Sequence, residues 1–168
     1  MLSGLAYGCD WAAHLGALNA GGATTAVLPH GISARVSNDK MALIDRIADE
    51  GGVLVSQFGL FAAPNKGSFV MRDRVQAGMS ALTILIESKR DGGSLHACRA
   101  ALAYGRRLGV VGVEQDSNLY ANELLLGGYK ISQSKLLDCE MSDLDRVFGL
   151  RSKDDYPLID QYVAELSN

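Results

Sequence analysis

The sequence predicts an α/β fold, a doubly wound, mainly parallel sheet with helices on both faces. Three observations carry this. Short β-branched and aliphatic runs alternate with longer stretches whose apolar residues recur at helical spacing. The 19 glycines cluster where one kind of segment gives way to the other. Residues 81–86 are apolar apart from Thr83, the pattern of a parallel strand covered on both faces.

Taken in order, Met1-Leu2 reads as the end of a strand, and Ser3-Gly4-Leu5-Ala6 leaves it for a helix. That helix is expected over residues 10–20, with Asp10 as its N-cap and Gly21-Gly22 as its stop. A strand follows over 24–28, closed by Pro29 and Gly31. Met41, Leu43, Ile44 and Ile47 mark a helix over 39–50, ended by Gly51-Gly52. Residues 53–55 are a second core strand, followed by an irregular loop through Pro64 to Gly67. Next come a short helix opened by an aromatic and two arginines, the strand 81–86, and an alanine-rich helix over 94–104. A strand over 108–113, a helix over 118–126 ended by Gly127-Gly128, and a short strand candidate at 129–131 complete the alternation. Such alternation implies right-handed crossovers between parallel strands. Residues 1–150 form the expected core. Residues 151–168 form a short tail, with Leu158, Tyr162 and Leu166 spaced to lay a helix over the core edge. Doubly wound nucleotide-binding folds open with a strand, a glycine turn and a helix. That opening is missing here, so the chain is expected to be a shortened version of a larger domain.

The hydrophobic share of 48% and charged share of 21% are those of an ordinary soluble domain. A net charge of −3 excludes a generic polyanion binder, so any nucleic acid must be held by a local basic pocket. Basic residues gather between Lys66 and Arg107, acidic ones after Asp138. Cys9, Cys98 and Cys139 form no C-x-x-C pair and read as reduced thiols. With no signal-peptide pattern and no apolar run of membrane-spanning length, the expected location is cytoplasmic.

Two anion-seeking devices flank the strand 81–86. Before it, Phe69 offers a stacking ring, and Lys66, Arg72 and Arg74 offer positive charge. After it, Gly92-Gly93-Ser94 presents backbone N–H groups at a helix start. Ser3, Gly4 and Gly8 bring further backbone donors near Asp10. The Gly-Gly-Ser loop lacks the lysine of a P-loop, which disfavours ATP hydrolysis by that mechanism. Asp10 and His14 lie one turn apart and could touch, but the expected roles are a helix cap and a buried structural partner. His30 and His96 are isolated. No cluster has metal-ligand spacing, no nucleophile motif is present, and no cofactor is expected.

Six segments in chain order resemble the DprA/Smf DNA-processing family. SGLAYGCDWAAH (3–14) is similar to the family's SGLARGID..AH, and TTAVLPHGI (24–32) to its T-I-A-V-L-x-x-G strand and turn. LVSQF (54–58) is similar to LLSEF, and GSFVMRDRVQAGMS (67–80) to G-N-F-P-x-R-N-R-I-I-A-G-L-S. The stretch from Ile86 through Gly92-Gly93-Ser94 to Leu108 resembles its SGSL-x-T-A region, and NELLLGGYKI (122–131) its N-x-L-I-x-x-G-A region. The resemblance implies a Rossmann-like core and binding of single-stranded DNA without catalysis. It also implies RecA loading during natural transformation, and a homodimer. With single-stranded DNA as the expected ligand, the expected DNA-binding set is Ser3, Gly4, Tyr7, Gly8, Lys66, Phe69, Arg72, Arg74, Gly92, Gly93 and Ser94.

The sequence departs from the family at informative places. Tyr7 stands where the family has an arginine expected to touch the DNA backbone; it supplies a ring that could stack on a base. Asp73 replaces the asparagine between the arginines, Gln57 replaces a glutamate, and Gly112-Val113 replaces Pro-Gly. Two alternatives compete. Rossmann-type lysine-decarboxylase-like (LOG) hydrolases act on nucleoside monophosphates through a P-G-G-x-G-T-x-x-E loop, but no glutamate follows Gly92-Gly93 on the helix here. A diverged protein keeping the fold without DNA activity is the other.

Overall fold

The protein is described here by a computed structural model, which describes residues 1–112 and 120–165. Its contacts divide it into two compact units, Met1–Gln76 and Ala77–Asn168. Strands β1 (Leu2–Ser3), β2 (Thr25–Val27) and β3 (Val53–Val55) form a three-stranded parallel sheet in that order, with Ser3 opposite Ala26 and Ala26 opposite Leu54. Parallel neighbours need crossovers. Helix α1 (Cys9–Asn19) supplies the first and α2 (Asn38–Asp49) the second. Leu18, Leu28, Leu43, Ile44 and Ile47 are buried with Ala26 in one core, against which Trp11, Leu15 and Leu54 pack.

Helix α3 (Lys66–Met79) contains the boundary between the units, and at 14 residues it is longer than the short helix expected. In the second unit, β4 (Leu82–Leu85), β5 (Arg107–Val111) and β6 (Val147–Leu150) form another parallel three-stranded sheet. Helix α4 (Leu95–Ala103) crosses from β4 to β5. Its Leu95, Cys98 and Leu102 are buried with Leu85, Leu108 and Val110. Between β5 and β6 lie α5 (Tyr120–Gly127) and α6 (Lys130–Leu137). Helix α7 (Tyr156–Glu165) contributes Tyr162, whose ring sits edge-on to Phe148 of β6 at 4.7 Å and under the Arg107 guanidinium at 3.9 Å. Tyr162 thereby packs on β6. Among the described residues no helix is long and apolar enough to cross a membrane. The expected strand end at Val113, helix start at Asn118 and tail residue Leu166 lie outside the described residues.

Three expectations are corrected. Residues 129–131 are not a strand. Tyr129 is the N-cap of α6, and its carbonyl accepts from the Ser132 and Gln133 amides. Strand β6 was not anticipated, because V-F-G-L is short and carries a glycine that the Leu126 side chain approaches. Asp10 is not the N-cap of α1; Gly8 is, and the Asp10 carboxylate bonds the preceding loop instead.

His14 does not bond Asp10 either. It is fully buried, and its Nδ1 lies 2.8 Å from Thr24 Oγ1, whose hydroxyl donates to the Met1 carbonyl at 3.3 Å. Thr24 therefore accepts from His14, which places a proton on His14 Nδ1. Its Nε2 is buried without a hydrogen-bond partner. Desolvation holds its pKa below the ordinary value, against a smaller raising effect of Asp10. A histidine depressed in the folded state stabilises above its unfolded pKa, and that contribution is lost as pH falls, because only the unfolded chain takes up the proton. The melting temperature is expected to drop between about pH 7.5 and about pH 5.5, with a smaller drop in His14→Gln. Equal drops in both proteins would remove His14 as the cause.

Candidate nucleic-acid interface

The first unit builds a groove at the carboxyl ends of its three strands, where parallel sheets place ligands. Its first wall is the loop after β1. Ser3 is the last strand residue and is buried. Leu5 adopts a left-handed φ of 61° and is only 2% exposed, so it feeds the core while its backbone turns. The Gly4 and Ala6 amides both donate to Asp10 Oδ2 at 3.2 Å. Gly8, at φ 96° and ψ −124°, makes the entry into α1, a conformation that disfavours any side chain.

The opposite support comes from α3. Its helical spacing puts Lys66, Phe69 and Arg72 along one side and turns Arg74 to another. The two arginines of the motif are therefore separated in role. Arg72 is buried: it donates through one Nη to the Gly4 carbonyl and, at 3.3 Å, to the Val27 carbonyl, and through Nε to Asp73 Oδ1 at 2.9 Å. A Cβ on Gly4 would overlap the Arg72 guanidinium, which is why this position takes glycine. Arg74 is exposed and makes no hydrogen bond or ion pair among the described residues, and the same holds for Lys66. Phe69 is 44% exposed, with Arg72 Cζ 5.8 Å from its ring centroid.

Between these walls lies an open cavity of about 260 Å³. Gly4, Leu5 and Ala6 line it from the loop after β1, Pro29, His30, Arg35, Ser37 and Lys40 from the segment after β2, and Pro64 and Phe69 from the segment after β3. His30 is held by Nδ1 against the Gly31 carbonyl at 2.9 Å. The exposed Tyr7 stacks on Trp11 at 5.4 Å, lies 3.0 Å from Ser37 Oγ through its hydroxyl, and carries the Lys40 ammonium 5.2 Å from its ring centroid. Arg35 and Lys40, absent from the sequence-derived set, line this cavity. A signal for them was available: Arg35 is a cation in the turn that follows a core strand, and Lys40 a cation in the first turn of the helix after it.

In the second unit, Gly92-Gly93-Ser94 forms a tight turn into α4. The Gly92 amide donates to Lys89 O at 3.0 Å, and the His96 amide to Gly93 O at 3.0 Å. Ser94 holds the N-cap position without a side-chain cap. Gly93 and Ser94 are exposed, and their own amides make no hydrogen bond among the described residues. Asn122 organises this strand edge. It is fully buried; Oδ1 accepts from Ser88 N at 3.0 Å, and Nδ2 donates to Ile86 O and Val111 O at 2.9 Å each. The sequence showed Asn122 inside a family-like segment but gave it no task.

The sequence profile of DNA recombination-mediator protein A matches residues 1–134. The chain belongs to this family. It is 36% identical over 106 residues to Protein Smf of Escherichia coli, covering 63% of this chain and 28% of that protein. It is 39% identical over 106 residues to DNA processing protein DprA of Streptococcus pneumoniae, covering 63% and 37%. The chain thus spans about a third of the length of these curated relatives. Among solved structures, DprA of S. pneumoniae superposes with a TM-score of 0.70 at 28% identity, covering 94% of this chain and 50% of that one. DNA processing protein A of Helicobacter pylori, described for its single-stranded DNA binding mode, shares the fold with a TM-score of 0.72 at 23% identity, covering 96% and 66%.

Removing the Arg72 charge would leave the Gly4 and Val27 carbonyls without this donor and strip Asp73 of this ion pair. Arg72→Met is expected to lower unfolding free energy by about 3 kcal/mol or more, and Arg74→Ala by less than about 0.5 kcal/mol. Urea titration measures both. Similar midpoints would contradict the division of labour between the two arginines.

Proposed function

We propose that the chain is a single-stranded DNA-binding protein of DNA processing, acting by binding rather than by catalysis. The observation that carries this is the first-unit groove, a cavity of about 260 Å³ lined by the exposed Phe69 together with Arg35 and Lys40. Single strands are bound by that combination: rings that stack bases and cations that follow the backbone. Family membership and the relative described for its single-stranded DNA binding support the same ligand. Lys66 and Arg74, with the backbone at Ser3, Gly4 and Gly8, extend the proposed contact set of the first unit, and the turn Gly92-Gly93-Ser94 is a separate proposed contact of the second. Arg72 acts mainly as the support beneath Phe69. The α4 sequence LHACRAALA offers no carboxylate after the glycine turn, which argues against the nucleoside-monophosphate hydrolase reading. RecA loading, a homodimer and a cytoplasmic location belong to the same proposal through the family.

Fluorescence anisotropy with a labelled oligonucleotide tests it. Binding to single strands is expected to exceed binding to duplex and to weaken linearly in log–log form with added salt. Phe69→Ala is expected to weaken binding by about 1–3 kcal/mol. Absence of saturable binding at low salt, or an unchanged affinity in Phe69→Ala, would refute it.

A further inference from the structure

Resting on the DNA-binding reading, we infer that Lys40 is a phosphate-contacting residue of the groove and that Tyr7 is its positioning residue. A lysine side chain is flexible and heavily hydrated, so a defined ammonium position is normally costly to hold. Here it is held. Lys40 is half-buried, lines the cavity, and places its ammonium over the Tyr7 ring at 5.2 Å. It makes no ion pair with any described carboxylate, so its charge stays available to an incoming anion. The ring beneath it is fixed from two directions. Trp11 stacks on it at an interplanar angle of 21°, and Ser37 Oγ lies 3.0 Å from its hydroxyl. Ser37 is the N-cap of α2 and Lys40 its third residue, so the hydroxyl contact and the cation come from the same turn.

The geometry assigns different work to the two members. Lys40 supplies charge, which is felt as salt dependence. Tyr7 supplies order, which is felt as affinity at constant salt dependence. Here the charge arises from α2 and the ring from the loop after β1.

The test is anisotropy with a single-stranded oligonucleotide over a range of salt, with melting temperatures to show that each variant is folded. Lys40→Gln is expected to reduce the salt slope by about 0.7, the single-strand value for one phosphate, and to weaken binding about fivefold to tenfold at about 50 mM salt. Lys40→Arg is expected to restore the slope. Tyr7→Leu is expected to weaken binding about twofold to fivefold with the slope retained, and Tyr7→Phe to recover most of that loss. Wild-type binding combined with an unchanged slope in Lys40→Gln would overturn the assignment while leaving the DNA-binding reading intact. A retained affinity in Tyr7→Leu would overturn the positioning role. No binding by the wild-type protein would overturn both readings together.

Discussion

The buried guanidinium of Arg72 holds the first unit's strand ends in place. It reaches from α3 to the carbonyl after β1 and the last carbonyl of β2 through one Nη, and its Nε is matched by Asp73. Three elements distant in sequence are thereby drawn to one planar group, whose donors are rigidly arranged. Phe69, Gly4 and the loop from Gly4 to Gly8 take their positions from it. A lysine could not replace it, because an ammonium's three donors diverge from a single nitrogen, whereas here Nε meets the carboxylate and an Nη the two carbonyls.

The consequence for electrostatics is a sorting of charge by depth. The buried cation is neutralised by its neighbour Asp73, so it adds little field to the groove. The cations that carry field in the groove are the shallow ones that line it, Arg35 and Lys40, which the protein leaves without carboxylate partners among the described residues. A chain with a net charge of −3 can in this way present a locally positive groove.

The alternation of strands and helices was legible because its signals are local: apolar runs such as 53–55, helical spacing such as Leu43, Ile44 and Ile47, and glycines at the handovers. Strand β6 was not, since four residues containing Gly149 carry no periodicity and owe their conformation to pairing with β5. The same limit applied at the site. Sequence showed that Phe69 and two arginines lie close together, but only the three-dimensional path shows that a two-residue step turns Arg72 inward and Arg74 outward. Asp10 and His14 looked like a pair through helical spacing, yet each found a better partner off the helix, the loop amides and Thr24. Lys40 escaped notice because its significance comes from Tyr7, 33 positions earlier in the chain.

The strands of the first unit are only two or three residues long. A ladder so short closes few backbone bonds, and side chains take over: Thr24 holds the Met1 carbonyl, Arg72 those of Gly4 and Val27, Ser56 that of His30, and Asp10 the amides that follow β1. This sheet is therefore laced by polar groups of fixed identity. Its tolerance to substitution should be inverted relative to an ordinary core: aliphatic residues can exchange for one another at small cost, while a serine, threonine, aspartate or arginine at the lacing points has no equivalent. Drift in such a protein would run through its apolar interior and halt at its polar seams.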